Sequence, residues 1–485
     1  MSRDSRRPCE YVLRRTRLGV CVATVVAACA ASAQQPAQDD PPEAQPARGA
    51  TSYMPVALER PFQEIYEEFS ARKEEVMERA RNLLEQRYDL SDRPVQGVTM
   101  TRGKPVQGGV RVRLPEGVSS WEELAAMPRS EIAARNLFPE GFKPLPHPFH
   151  EEGGMVFPQH HIDEILAQEQ RDLNRFDVEF DIPEHFLPEF PPPIFLTTRP
   201  ELGDVSQGQL VTTQNFFELF NGILNPKQLE GLRLLVSPFP QQQFNMTNDR
   251  RSEKPHLGVS CFDCHANGHT NASTHLVGDI RPQEVRRRID TPTLRGVQQQ
   301  RLFGSQRALR TVEDFTEFEQ RAAYFDGDIV IAQKKGVNFL ERGSEVHAMA
   351  EFQEILDFPP APKLDPFGRL DPELATEQEL RGEQIFFGKG RCFECHPPPI
   401  FSDNFMHDLK VERFYNEDEI VNGRKMSDGG PTKTFPLRGI KDSPPYLHDG
   451  RLLTLDDAVE FFNLVLGLQL NAQEKQDLVR YLYTL

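Results

Sequence analysis

The sequence predicts a mainly α protein, with two tandem all-α lobes behind a proline-rich N-terminal extension. Three observations carry that reading. The pattern C-x-x-C-H occurs twice, as Cys261-Phe-Asp-Cys264-His265 and as Cys392-Phe-Glu-Cys395-His396. Each copy follows a stretch with helix-start signals and apolar residues at helical spacing. The segments downstream of the two copies also repeat one another.

The spacing of the pattern has a mechanical reason. Two thiols three residues apart reach the two vinyl groups of one porphyrin, and the adjoining histidine swings under the ring to bind iron. This is the c-type haem attachment signature. A zinc half-site or a redox dithiol also uses C-x-x-C, but neither needs the following histidine. Of the 7 cysteines, Cys9, Cys21 and Cys29 lie near the N-terminus and the other four are these thiols. Two covalently bound haem c groups are expected, with His265 and His396 as proximal iron ligands.

The chain opens with a basic stretch containing Arg3, Arg6, Arg7, Arg14, Arg15 and Arg17. Leu18 to Ala30 is apolar or small, and Ala31-Ser32-Ala33 is an A-x-A cleavage site. Residues 1–33 therefore read as a signal peptide that exports the protein to the periplasm. Cys29, behind Val26-Ala27-Ala28, offers a competing reading as a lipid anchor. Residues 34–54, rich in Pro, Gln, Ala and acids, read as a disordered tether.

Residues 55–205 form an N-terminal extension to which the sequence assigns no role. It opens with a long charged helix in which Phe62, Ile65, Phe69, Val76, Ala80 and Leu83 recur at near-helical spacing. His147, His150, His160 and His161 cluster further on and read as exposed loop residues in preference to a metal site.

The first lobe is assigned to 206–358. Asn225-Pro226 looks like a helix cap with Pro at the first helical position, opening Lys227 to Val236 ahead of the first motif. Pro359, Pro360, Pro362, Pro366 and Pro372 mark a linker over 359–373. The second lobe, 374–485, starts likewise at Thr376 and closes with a helix expected from Ala472 to Leu485. An N-terminal helix, a haem loop and a C-terminal helix packed on the first make the small all-α cytochrome c plan.

The repeat supports two related lobes. Thr291-Pro-Thr-Leu294-Arg295-Gly296-Val297 matches Thr434-Phe-Pro-Leu437-Arg438-Gly439-Ile440 at an offset of 437 − 294 = 143. Thr311-Val-Glu313-Asp314 matches Thr454-Leu-Asp456-Asp457 at the same offset, 454 − 311 = 143. Composition narrows the partners. The 485-residue chain carries a formal net charge of −17 and a pI near 5.3. That argues against nucleic acid and anionic membranes, and permits steering of a basic redox partner.

On these residues the chain resembles the bacterial di-haem cytochrome c peroxidase and MauG superfamily. The resemblance rests on the two motifs and on Thr291-Pro-Thr-Leu294-Arg295. It also rests on Pro445-Tyr-Leu-His448-Asp449-Gly450-Arg451 with Thr454-Leu-Asp-Asp-Ala458-Val459-Glu460. It covers about 206–485. It implies haems facing a shared interface, with peroxide reacting in the first lobe and the second haem relaying electrons. It also implies a calcium ion between the lobes and a homodimer. Family peroxidases carry a distal histidine after the first motif, a position that His275 or His269 matches. Their distal glutamate corresponds to Glu313, Glu317 or Glu319, for which a solvated helix face is the plainer reading. Arg295 and Arg438 would pair with haem propionates or fix the lobe interface.

Two departures stand out. The family's distal Met or Tyr in the second lobe falls at Phe461 or Phe462, which cannot bind iron. Met406, His407, Met426 and His448 are the nearby substitutes. The family's inter-haem tryptophan is also missing. Its segment reads Arg301-Leu-Phe303-Gly-Ser-Gln-Arg307, and the single Trp, Trp121, lies outside the lobes. The implied activity is reduction of hydrogen peroxide with electrons from a small cytochrome c or cupredoxin. The alternatives are a MauG-like oxidase or oxygenase of a protein or organic substrate, and a non-catalytic two-haem electron carrier.

Overall fold

The computed structural model describes residues 58–148, 155–173, 178–179, 181–238, 240–241, 250–252, 256–257, 259–275, 288–305, 307–325, 342–415, 420–421, 424–425 and 430–485. The expected signal peptide, Cys29, the tether, His150 and Met426 lie outside these residues. The fold is mainly α, and the longest described strand, Pro94–Thr99, has 6 residues. Among the described residues no helix is long and apolar enough to cross a membrane.

The helices that matter below are α1 Phe62–Arg87, α2 Gln159–Glu169, α3 Pro226–Val236, α4 Val312–Phe325, α5 His347–Gln353, α6 Glu377–Phe387, α7 Leu455–Leu466 and α8 Ala472–Leu482. The start signals read from the sequence are real caps. The Asn225 side chain accepts from Gln228 N, and Gln228 reaches back, closing a capping box around Pro226. Thr376 and Glu379 do the same for α6. The C-terminal helix stops at Leu482, short of the expected Leu485. The last carbonyl instead accepts from Gly439 N at 2.8 Å, which ties the chain end to the repeated segment.

Each motif is preceded by a helix that packs across a later one: α3 on α5, and α6 on α8. Both crossings are close enough to need glycine. A Cβ on Gly231 would run into the Ala348 carbonyl, and one on Gly382 into the Asp477 carbonyl. The repeat is also visible in the backbone. Phe303 bridges Leu309 and Tyr446 bridges Leu452, pairs separated by 446 − 303 = 143 and 452 − 309 = 143.

The extension is woven into this core. Leu84, Tyr88, Phe138, Phe142 and Leu145 share one apolar cluster with Phe386, Phe461, Val465, Leu478 and Tyr481. Polar contacts pin the same surface. Asp457, at the start of α7, accepts from Arg111 N at 2.7 Å and Val112 N at 3.0 Å. Asp449 accepts from Leu145 N at 2.8 Å. A second attachment is a four-stranded sheet of β1 Met155–Phe157, β2 Val178–Glu179, β3 Thr274–His275 and β4 Ile289–Asp290, in the order β4-β3-β1-β2. Here Met155 of the extension stands opposite His275.

The histidines of the extension correct the expectation of exposed loop residues. His147 and His161 are buried, and His161 lies on α2 with its ring against Phe190.

Candidate functional site

The first motif forms one short helical turn, Cys261–Cys264, which places the two thiols side by side. His265 leaves the helix at φ −93°, ψ 57°. Burial pushes its ring down to about 4, partly offset by the Pro292 carbonyl, so the imidazole is neutral as an iron ligand must be. The motif's own acid, Asp263, is 1% exposed. It accepts from Ser260 N at 2.6 Å and takes both Nη atoms of Arg171, at 2.7 and 2.9 Å. Arg171 also donates to Glu169. Glu169 in turn accepts from Thr213 N at 2.8 Å. Asn271 closes the loop from the other side by donating to the Asp263 carbonyl at 2.9 Å, beside the His161 ring.

The second motif, Cys392–Glu394, is a single 3-10 turn. His396 donates Nδ1–H to the Phe401 carbonyl at 2.8 Å, which fixes the tautomer and puts the acceptor lone pair on Nε2. Burial lowers its pKa as well. Burial pushes the Cys392 thiol up to about 12.

The candidate sixth ligands separate. His269 is buried and uses both ring nitrogens. Nε2 lies 3.0 Å from the Asp442 carbonyl, and Nδ1 lies 2.8 Å from the Thr293 hydroxyl. A carbonyl only accepts, so Nε2 carries the proton and Nδ1 accepts from Thr293. His269 thus ties the loop to the Ile440–Asp442 turn through both ring nitrogens. His275 lies on β3, and its side chain is outside the described residues. In the second half, His407 is bonded to Asp403 at 2.7 Å. His448 sits beside the Arg451 guanidinium. Met406 is half-buried on a strand opposite Lys433. Phe461 is buried edge-on against Phe142 of the extension, with centroids 5.4 Å apart, which explains why an apolar ring stands there.

The glutamates expected as proton movers sit on α4. Glu313 accepts from His347 Nδ1 at 3.1 Å, and His347 also meets Glu351, in a half-exposed cluster. Glu317 and Glu319 follow on the same helix, half-buried.

The two repeated arginines are matched. Arg295 donates to the Pro193 carbonyl at 2.5 Å, and Arg438 to the Pro359 carbonyl at 3.0 Å. Arg295 Nε and Nη1, and Arg438 Nε, are buried with no hydrogen bond. Burial lowers the Arg295 guanidinium to about 10 despite Asp442 nearby. Arg295 Nη1 faces Asp442 at 3.8 Å, and the buried Nε of each arginine is left for a further acceptor. Paired thiols, neutral histidines and buried Nε donors without hydrogen bonds together fit haem c, whose propionates would accept from them.

Zinc fits less well. Cys395, Asp403 and His407 do offer ligand atoms within 4.8 Å of one another. Among the described residues the first motif has no such cluster, so zinc would explain one motif and leave the other.

Comparison with known proteins agrees. Over 144 residues the chain is 31% identical to a cytochrome c551 peroxidase of Nitrosomonas europaea, covering 28% of this chain and 42% of that protein. It is 29% identical over 147 residues to the cytochrome c peroxidase Ccp of Escherichia coli, covering 28% of this chain and 31% of that one. It is 28% identical over 151 residues to the methylamine utilization protein MauG of Methylorubrum extorquens, covering 28% of this chain and 42% of that one. These similarities support a divergent member of the di-haem cytochrome c peroxidase and MauG superfamily. No family model matches it. The matches span less than half the length of these superfamily relatives.

Sequence reasoning missed Asp263, Arg171, Asn271 and Lys433. Lys433 is 3% exposed, donates to Gln300 at 2.8 Å, and lies over the rings of Phe303 and Phe435. The one available signal was an acid between the two cysteines of the motif.

Proposed function

We propose that the protein is a periplasmic di-haem c oxidoreductase that reduces hydrogen peroxide with electrons from a small cytochrome c or cupredoxin. The observation that carries this is the matched pair of loops. Each has two thiols three residues apart and a following neutral histidine, and each repeat carries an arginine whose buried Nε has no hydrogen bond. Haem, when bound, supplies electron transfer and cleavage of the peroxide O–O bond. His265 and His396 hold the irons, and the Phe401 carbonyl orients His396. Arg295 and Arg438 offer donors to propionates. The Glu313 side chain, engaged by His347, is a candidate for moving the proton between peroxide oxygens.

On this reading the chain has two cytochrome c-like lobes. The first extends upstream of residue 206, since Ile194, Leu196 and Val205 belong to the apolar cluster around α3 and α5. A MauG-like oxidase uses the same parts. The locked His269 favours enzymes over a pure carrier, because it removes one candidate for filling the first iron's far side.

The test is mass spectrometry of the matured chain, then EPR and optical titration, oxidised and half-reduced, with stoichiometric hydrogen peroxide. A high-spin ferric signal that peroxide consumes is the expected outcome. Two low-spin haems that ignore peroxide in both redox states would leave an electron carrier. Turnover with a protein or organic substrate but not with peroxide would favour the MauG-like reading.

A further inference from the structure

The extension does more than cover the molecule. Asp263 sits between the two thiols of the first motif, at the third position of the turn that carries them. Its carboxylate closes that turn on Ser260 N and receives both Nη atoms of Arg171 in a planar fork. Arg171 lies just beyond α2, 92 residues upstream, and is itself held by Glu169. Glu169 uses its other oxygen on Thr213. The far end of the same loop is held too. Met155 and Val156 of β1 pair with His275 and Thr274 of β3. The segment from 263 to 275 is therefore gripped at both ends by residues of the extension.

We propose that the N-terminal extension is a working part of the first haem site, with Arg171 the positioning residue that fixes His265 and the two thiols through Asp263. The inference rests on the reading of Cys261, Cys264 and His265 as haem ligands. Partners behind a ligand set its orientation and basicity, so losing one alters the iron without removing its ligand. Arg171 touches no reacting atom. Lysine keeps its charge but cannot reproduce the bidentate fork.

The experiment uses the full matured chain with three substitutions: Arg171→Ala, Arg171→Lys and Asp263→Asn. The readouts are haem occupancy of the Cys261–Cys264 peptide by mass spectrometry, EPR, and a potentiometric titration of each haem. The second haem serves as an internal reference in every sample. With Arg171→Ala, the signal and potential of the first haem are expected to shift and broaden while those of the second stay fixed. Arg171→Lys should fall between wild type and Arg171→Ala, and Asp263→Asn should reproduce the shift. A folded variant in which both haems keep wild-type signals and potentials overturns the proposal. Equal shifts in both haems would reveal a global stability effect, and overturn it as well. If Arg171→Ala does not fold, Arg171→Lys and Asp263→Asn carry the same decision. A wild-type Cys261–Cys264 peptide without haem would sink the underlying haem reading itself, an outcome visible before any variant is made.

Discussion

The two C-x-x-C-H loops share four of five residues and differ at the third, Asp263 against Glu394. That one methylene marks two ways of holding the same turn. Asp263 is buried and clamped by an arginine 92 residues away. Glu394 is 47% exposed at its side chain and pairs with Arg391, its neighbour three positions back. The first loop depends on a separate part of the chain, whereas the second is self-contained, with His396 oriented by the nearby Phe401 carbonyl. The lesson is that a repeated motif sets the residue types, while the surroundings of each copy differ and can specialise it.

The sharpest way to break this contrast is Arg171→Ala. It leaves Asp263 buried without its cation, and removing one partner of a buried pair costs about 3–5 kcal/mol. Chemical denaturation of the full chain measures it. The pH dependence has a definite sign. Burial alone would push Asp263 up, yet Arg171 and His161 hold it well below the ordinary carboxylate range. A depressed folded value means the pair contributes fully above the unfolded aspartate pKa of about 4, and the contribution is lost as pH falls below that. The wild-type advantage over Arg171→Ala should therefore shrink in acid.

Where the two halves are alike, the variants should behave alike. Gly231→Ala and Gly382→Ala each drive a methyl into a backbone carbonyl of the crossing helix, Ala348 or Asp477. Backbone cannot swing aside as a side chain can, so each is expected to cost about 1–3 kcal/mol. Equal losses on thermal denaturation would support two equivalent crossings. A cost confined to one would mark the other as loosely packed.

A third contrast lies at one repeat position, since 433 − 290 = 143 sets Lys433 against Asp290. Burial pushes Asp290 well above its usual range, while burial and the nearby Arg307 push Lys433 down to about 8. A lysine lowered on folding is penalised while charged, and the penalty is relieved as pH rises through its folded value. Lys433→Met should therefore be more stable than wild type at pH 7. The gap should narrow from pH 8 towards the ordinary lysine range. A wild-type advantage at pH 7 would instead indicate that an anion, such as a haem propionate, neutralises the charge in the matured protein.

These contrasts differ in how far the sequence disclosed them. The paired thiols, the histidine beside each pair and the caps at Asn225 and Thr376 were legible because each depends on residues within a few positions. The repeat was legible because its spacing survives in Phe303–Leu309 and Tyr446–Leu452. The role of the extension was not. Arg171 meets Asp263, and Phe142 meets Phe461, only through tertiary packing across long separations that leave no period in the chain. His161 looked like a loop residue because a polar run hides a helix whose buried side faces Phe190. The choice between His269 and His275 stayed closed to sequence reasoning for another cause. The two are the same residue type in one polar loop, and only the hydrogen bonds to Thr293 and Asp442 distinguish the first.

The smallest expected effect completes the comparison. Glu394→Gln removes the charge at the position equivalent to Asp263, but here both partners are exposed to solvent. Exposed pairs three residues apart contribute little, because water screens the attraction and two long side chains lose freedom to make it. Glu394→Gln should leave the denaturation midpoint and both haem potentials unchanged within error. That null is informative only beside Asp263→Asn, which changes the same charge at the same motif position. A shift of the second haem in Glu394→Gln matching that of the first in Asp263→Asn would show that the motif acid matters intrinsically. The asymmetry between the loops would then lie elsewhere than in the clamp.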